Sequence, residues 1–90
     1  MIDGEKALRE MLKVTGIPVK ASYNTTEVCK LLNVSQTTAR RMFKEFELIQ
    51  GKPKPGALNS YLARGSFRVR FGELARYLRD NDTHEIECNQ

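Results

Sequence analysis

Two helix-start signals separated by a tight turn constrain the fold of this chain more than any other feature of its sequence. In the segment Asn24-Thr-Thr-Glu27, Asn24 can cap the free amides of a helix, while Glu27 can accept a hydrogen bond from the Asn24 amide. Ser35 supplies a second capping residue, and Asn33 tolerates the left-handed backbone that ends a helix. The spacing predicts two short helices, one ending at Asn33 and the other covering about residues 36–46.

Each of these two helices has an apolar side and a polar side. Val34 is predicted to be buried in the turn, and the small residues Cys29 and Ala39 fall where the two helices must approach closely. The predicted buried sides carry Val28, Leu31, Leu32, Ala39, Met42, Phe43 and Phe46. The outward side of the second helix presents Gln36, Thr37, Arg40, Arg41 and Lys44. This is the helix-turn-helix layout, with outward groups that bond phosphates and base edges.

The distribution of charge supports a polyanionic partner. The chain has 90 residues and a net charge of +4, yet residues 36–70 alone hold eight Lys and Arg against two Glu, a net +6. Such a basic segment attracts nucleic acid, although a solvated face that keeps the protein soluble would have the same composition. Residues 80–90 carry four acids and no Lys or Arg, and they are predicted to be a disordered tail that competes weakly for the basic face.

The remaining segments complete a fold that is mostly α with one small β-hairpin. Residues 4–14 are predicted to form an amphipathic helix with Ala7, Leu8, Met11, Leu12 and Val14 on one side. We expect this helix to pack on the domain rather than on a second copy, and Gly16 and Pro18 to end it. Residues 50–56 contain two prolines and two glycines, which predicts a loop.

A hairpin and a closing helix are predicted after that loop. Residues 61–63 and 67–70 flank the three-residue turn Arg64-Gly65-Ser66. In the second strand the side chains alternate, so that Phe67 and Val69 point inward while Arg68 and Arg70 point outward. Residues 72–79 are predicted to form the closing helix, with an apolar stripe of Leu74, Tyr77 and Leu78.

Two stretches of this sequence resemble the excisionase and MerR-like winged helix-turn-helix DNA-binding domains. They are Tyr23-Asn-Thr-Thr-Glu-Val-Cys-Lys-Leu-Leu-Asn-Val-Ser-Gln-Thr-Thr-Ala-Arg-Arg-Met-Phe43 and Phe67-Arg-Val-Arg-Phe-Gly-Glu-Leu-Ala-Arg-Tyr-Leu78. The resemblance implies a winged helix-turn-helix over residues 23–79, after an N-terminal helix and linker at 1–22. It further implies that Gln36, Thr37, Arg40 and Arg41 lie at or near the major groove, and that Arg64, Arg68 and Arg70 meet the backbone or minor groove.

The sequence departs from that family in two places. Family members join the recognition helix to the wing by a few residues, whereas Leu48 and Tyr61 are separated here by a Lys- and Pro-rich insertion. That insertion is open to three interpretations: an arm toward DNA, a partner-binding element or a neutral surface loop. The helix before Tyr23 is the second departure, and it leaves dimerisation open.

These observations predict a small non-enzymatic protein that binds double-stranded DNA. It would act as a transcriptional regulator or an excisionase-like recombination factor, alone, with a second copy or beside other DNA-bound proteins. The alternative is a protein-interaction module whose basic face takes an acidic protein. No catalytic or cofactor site is predicted, because no nucleophile adjoins a base or a glycine-rich phosphate cradle.

A metal site and a membrane location are also not expected. The spacing His84-x-x-x-Cys88 resembles half of a metal site, but only Cys29 could add a third ligand of the favoured type. The first residues lack the basic and apolar pattern of a signal peptide, and no apolar run has the length of a membrane span, which predicts a cytoplasmic protein.

Overall fold

Four helices and five short strands make up residues 3–81, the part of the chain that this computed structural model describes. In chain order they are α1 (Gly4–Thr15), β1 (Ser22–Asn24), α2 (Thr25–Leu32), α3 (Gln36–Glu45), β2 (Leu48–Ile49), β3 (Lys52–Pro53), β4 (Tyr61–Ala63), β5 (Ser66–Arg70) and α4 (Phe71–Asp80). One antiparallel sheet has the strand order β1-β5-β4, and β2 pairs with β3 in a separate ribbon. The result is a small α/β domain with four helices and a small antiparallel sheet, which is more β structure than the single hairpin predicted.

Local capping starts and ends the two central helices as the sequence predicted. The Glu27 amide donates to Asn24 Oδ1 at 2.8 Å, and the Asn24 amide donates to Glu27 Oε1 at 3.1 Å. Asn33, with φ of 56°, ends α2 in the left-handed region. Ser35 Oγ accepts from the Thr38 amide at 3.1 Å and begins α3. The helix ends at Glu45, one residue short of the prediction, because the backbone of Phe46 is already extended.

All four helices contribute to one hydrophobic core. The fully or nearly fully buried side chains are Leu8, Leu12, Ile17, Tyr23, Val28, Leu31, Ala39, Met42, Phe43, Leu58, Val69, Leu74 and Leu78. The expectation that α1 packs on the domain is confirmed, because α1 lies mainly against α4 and also contacts α2. Cys29 and Val34 are half-buried and pack against this core.

Val14 departs from the predicted burial of α1. It was expected on the apolar side, but its side chain is 87% exposed. Val14 is two residues past the buried Leu12, which turns its side chain about 160° away around the helix axis. The apolar stripe of α1 is therefore narrower than the composition suggests, and a large hydrophobic side chain is left in solvent.

The hairpin β4–β5 forms at the predicted place with a shorter turn. Ala63 pairs with Ser66, so the turn consists of two residues, Arg64 and Gly65, rather than three. Both have positive φ, 53° and 81°, which matches the twist that a two-residue hairpin requires. Val69 is buried, as predicted, where β5 runs between its two neighbouring strands.

Strand β1 was not predicted, and it borders β5 on the side opposite β4. Ser22 pairs with Arg70, Tyr23 with Val69 and Asn24 with Arg68. Tyr23 is completely buried, and its hydroxyl accepts from the Lys20 amide and donates to the Pro18 carbonyl oxygen. Three residues are too few to show the alternation by which strands are recognised in a sequence.

The insertion after α3 is more ordered than the loop predicted from its composition. Gln50 and Gly51, both with positive φ, form a two-residue turn between β2 and β3. Pro53 is tolerated because both strands of an isolated ribbon are edge strands. After the ribbon, the Leu58 amide donates to the Met42 carbonyl oxygen at 3.2 Å, and the Arg76 guanidinium donates to the Ala57 carbonyl oxygen at 3.2 Å.

The closing helix α4 extends one residue beyond the predicted range at each end. Asp80, assigned by the sequence to the acidic tail, lies in this helix and accepts from Arg76 and Arg79. Residues 82–90 of the predicted tail lie outside the described residues. Within 3–81, no helix is both long and apolar enough to cross a bilayer.

Candidate nucleic-acid interface

The face of α3 that points to solvent is the face that the sequence predicts to be outward. All five side chains expected there are exposed, namely Gln36, Thr37, Arg40, Arg41 and Lys44. The opposite side of the helix is buried through Ala39, Met42 and Phe43. Because burial fixes the rotation of the helix about its axis, these five polar and basic groups are held together on one solvent-facing surface.

The cations of this face are largely free of carboxylates. Arg41 Nε lies 3.9 Å from Glu45 Oε1, with side chains 68% and 47% exposed, so this pair is weak. Neither Arg40 nor Lys44 forms an ion pair with any residue in 3–81. The positive charge of α3 is therefore available to an external anion.

A polar groove of about 520 Å³ separates α3 from the turn of the β4–β5 hairpin. It is lined by Asn24, Thr25, Thr26, Arg40, Lys44, Gly65, Ser66 and Phe67. The ring of Phe67 packs against Phe43 with centroids 5.5 Å apart, and this contact holds the hairpin beside α3. Two cations and several hydroxyl groups thus face one cleft whose walls are positioned by the core.

The structure gives Arg68 an intramolecular partner that the sequence did not suggest. Its Nε donates to Ser22 Oγ at 3.0 Å, and its Nη2 lies 3.5 Å from the Ser22 carbonyl oxygen. Arg68 is half-buried rather than projecting freely from the strand. This residue joins β5 to β1, with its Nε and Nη2 groups directed at Ser22.

Arg70 and Arg64, the other two arginines expected at the wing, differ in their contacts within the protein. The Arg70 guanidinium carbon lies 4.2 Å from the centre of the Tyr61 ring, a cation–π contact. The pKa of Tyr61 is lowered chiefly by the Ser22 side chain and further by Arg68 and Arg70. Arg64 occupies the turn, is exposed, and has no hydrogen bond or ion pair within the part of the chain described.

The sequence did not identify Thr25, Thr26 and Ser66 as candidate site residues. Thr25 and Thr26 are the first two residues of α2, and both line the groove. The segment Asn24-Thr-Thr-Glu27 predicts a helix start, and the capping box that forms there places these two threonines in the first turn of α2. Ser66 joins the groove because it follows directly after the two-residue turn.

The described residues offer no donor set for a metal. No group of three or more His, Cys, Asp or Glu side chains clusters within 3–81. The spacing His84-x-x-x-Cys88 lies outside this range.

Comparison with known proteins finds no matching family model, no matching curated protein and no matching solved structure. The geometry of the groove and of α3 is therefore the basis for assigning a function.

Proposed function

We propose that this chain is a non-enzymatic protein that binds specific sites in double-stranded DNA through a winged helix-turn-helix. In this proposal α3 enters the major groove, and the β4–β5 hairpin is the wing over the backbone or the adjoining minor groove. The observation that carries the proposal is the polar groove in which Arg40 and Lys44, unpaired within residues 3–81, face the hairpin turn. The resemblance to excisionase and MerR-like domains favours a transcriptional regulator or a recombination factor.

The dimensions and chemistry of α3 suit base reading. An α-helix with its side chains is about 10–12 Å in diameter, which fits a major groove about 12 Å wide, and the ten residues of α3 extend about 15 Å along it. Arg40 and Arg41 can each bond guanine in a bidentate manner, and Gln36 can do the same with adenine. Thr37 can bond either a base edge or a phosphate.

The groove beside α3 suits the sugar-phosphate backbone. Lys44 contributes positive charge, and Thr25 and Thr26 contribute hydroxyl donors at the start of α2. Arg64 extends the same positive surface to the tip of the hairpin. In this arrangement Arg68 and Arg70 act as positioning residues, because their contacts to Ser22 and Tyr61 hold the sheet together.

The decisive experiment is a binding titration with duplexes selected from a random pool, measured by fluorescence anisotropy at several salt concentrations. Replacing Arg40 and Arg41 together with Ala should abolish preference for the selected site, since each bidentate contact contributes about 1–3 kcal/mol of discrimination. Lys44→Ala and Arg64→Ala should instead weaken binding to all duplexes and each reduce the salt slope by about one. Lys6→Ala, which removes an exposed cation on α1, is the matched control for charge.

Unchanged site preference in the Arg40 and Arg41 double variant would refute the role of α3. A lack of enrichment in the random pool would count against specific DNA binding as a whole. If the protein instead forms a salt-sensitive complex with an acidic protein and binds no duplex near physiological salt, the protein-interaction alternative is correct.

A further inference from the structure

A second groove, apolar in character, lies on α1 and has no role in the proposed DNA contact. Its volume is about 460 Å³, and its walls are α1 and the C-terminal parts of α2 and α4. It is lined by Ala7, Glu10, Met11, Val14, Thr15, Leu31 and Leu78. Val14, at its rim, is 87% exposed, a larger fraction than for Val19, Leu48, Ile49 or Leu62.

The stripe of α1 that borders this groove combines a cavity with a projecting side chain. Ala7, Glu10, Met11 and Val14 follow the spacing i, i+3, i+4, i+7 and therefore share one face. The small side chain of Ala7 leaves room at one end of the stripe, whereas the side chain of Val14 projects into solvent at the other end. A surface with these two features is complementary to itself when it is turned by 180°, as a two-fold interface requires.

The charged residues beside the stripe are also complementary to those of a second copy related by a two-fold axis. Glu10 and Lys13 are both exposed on α1, and neither forms an ion pair within residues 3–81. In an antiparallel pair of helices with a two-fold axis midway between Glu10 and Met11, Ala7 faces Val14 of the second copy. Glu10 is then offset along the axis from Lys13 of the second copy by two residues, about 3 Å, a distance that these long side chains can span.

We propose that this face of α1 forms a symmetric homodimer with α1 of a second copy. Val14 of each copy packs against Ala7 in the groove of the other, and two reciprocal Glu10–Lys13 pairs set the register. A helix of 12 residues is about 18 Å long, so the interface belongs to the small class, below about 1,200 Å². The dimer is accordingly weak and its population depends on protein concentration.

The test uses the full chain without DNA, so its result is independent of whether the DNA proposal holds. Sedimentation equilibrium over a range of concentrations should show a reversible monomer–dimer equilibrium. Val14→Asp should raise the dissociation constant by about tenfold or more, because it places a carboxylate in an apolar contact. Val19→Asp is the matched control, since Val19 is 55% exposed but does not line the groove.

Charge reversal tests the register separately. Glu10→Lys and Lys13→Glu should each weaken self-association, because each variant sets like charges opposite one another twice. An equimolar mixture of the two variants should form a heterodimer more readily than either forms a homodimer, since every facing pair is then opposite in sign. Glu10, Lys13 and Val14 are all exposed, so unfolding midpoints close to that of the wild type would show that the variants at these positions remain folded.

Four results would overturn the proposal, three of them from measurements of self-association on the wild type, on Val14→Asp and on the charge-reversal mixture. These are a wild-type protein that stays monomeric at every concentration, self-association that Val14→Asp leaves unchanged, and a mixture that associates no better than its components. A dimer that loses affinity equally in Val14→Asp and Val19→Asp would also be inconsistent with this groove as the interface.

Discussion

Arg68 donates a 3.0 Å hydrogen bond from Nε to Ser22 Oγ, and this bond joins β5 to β1 across 46 residues of sequence. It connects the strand that precedes α2 to the hairpin that borders the polar groove. One of the arginines that the resemblance assigned to DNA thus has a structural partner, and the consequences of removing that partner can be measured.

Ser22→Ala should lower the free energy of unfolding by about 1–2 kcal/mol, because a part-buried hydrogen bond to a charged donor is lost. If Arg68 positions the hairpin, Ser22→Ala should also weaken DNA binding without changing the salt slope, since no charge is removed. Urea denaturation and the anisotropy titration measure the two effects. A lower salt slope in Arg68→Ala, with no loss in Ser22→Ala, would instead show that Arg68 contacts phosphate directly.

Arg64→Asn should separate stability from binding at the hairpin turn. Arg64 has φ of 53°, a conformation that Asn adopts more readily, and Asn-Gly is the preferred pair for such a turn. We expect the variant to be as stable as the wild type or more stable by a few tenths of a kcal/mol. Under the proposed DNA contact, its affinity for DNA should fall because a cation at the hairpin turn is lost. Thermal unfolding and anisotropy provide the two readouts, and reduced stability would contradict the assigned turn geometry.

Gly4→Ala should destabilise the protein even though Ala favours helices. A Cβ atom at Gly4 would lie 2.0 Å from the carbonyl oxygen of Ala75, so α1 and α4 would have to move apart. We expect a loss of about 1–3 kcal/mol, the usual range for overpacking. Gly72→Ala is the matched control, because its Cβ would meet no atom within 4 Å and should be neutral or stabilising. Equal unfolding midpoints for the two variants would show that α1 does not pack closely on α4.

Protonation of Glu27 should lower the free energy of unfolding of the protein in acid. Partial burial by itself raises the pKa of Glu27, but hydrogen bonds from Lys20 and Asn24 outweigh it, so the pKa is lowered from 4.5. Because the folded-state pKa is below the unfolded-state value, this carboxylate stabilises the fold above about pH 4.5. That contribution is lost as the pH falls through the lower, folded-state pKa.

The variant Glu27→Gln tests this contribution, since Gln can still complete the capping box. Lys20 is 39% exposed, so solvent screening keeps the expected loss at neutral pH to about 0.5–1 kcal/mol. Between neutral pH and pH 3, the stability of the variant should decline less steeply than that of the wild type. If the urea midpoints of the variant and of the wild type fall in parallel as the pH decreases, Glu27 does not contribute to the loss of stability in acid.

Local signals were sufficient to predict the two central helices. The capping bonds of Asn24 and Ser35 span only three residues, so they form wherever the chain brings those groups into a helix start. The amphipathic spacing of α3 likewise predicted which of its side chains are exposed, because helix geometry relates sequence position directly to direction. Five of the eight candidate site residues were recognised in this way.

The arrangement around those residues could not be derived locally. Strand β1 is three residues long and acquires its role only by pairing with β5, which lies more than 40 residues away. The pairing determines that Arg68 is directed at Ser22, and the Phe43–Phe67 contact determines that the hairpin lies beside α3. Sequence periodicity contains no information about such distant partners.

The two central helices, their exposed faces and the basic charge of the segment between residues 36 and 70 thus follow from the sequence alone. The groove that Arg40 and Lys44 share with the hairpin turn, the bond from Arg68 to Ser22 and the exposure of Val14 depend on tertiary packing. Capping and periodicity depend on neighbours within about one or two helical turns, whereas strand pairing and the packing of α1 on α4 depend on residues that the folded core alone brings together.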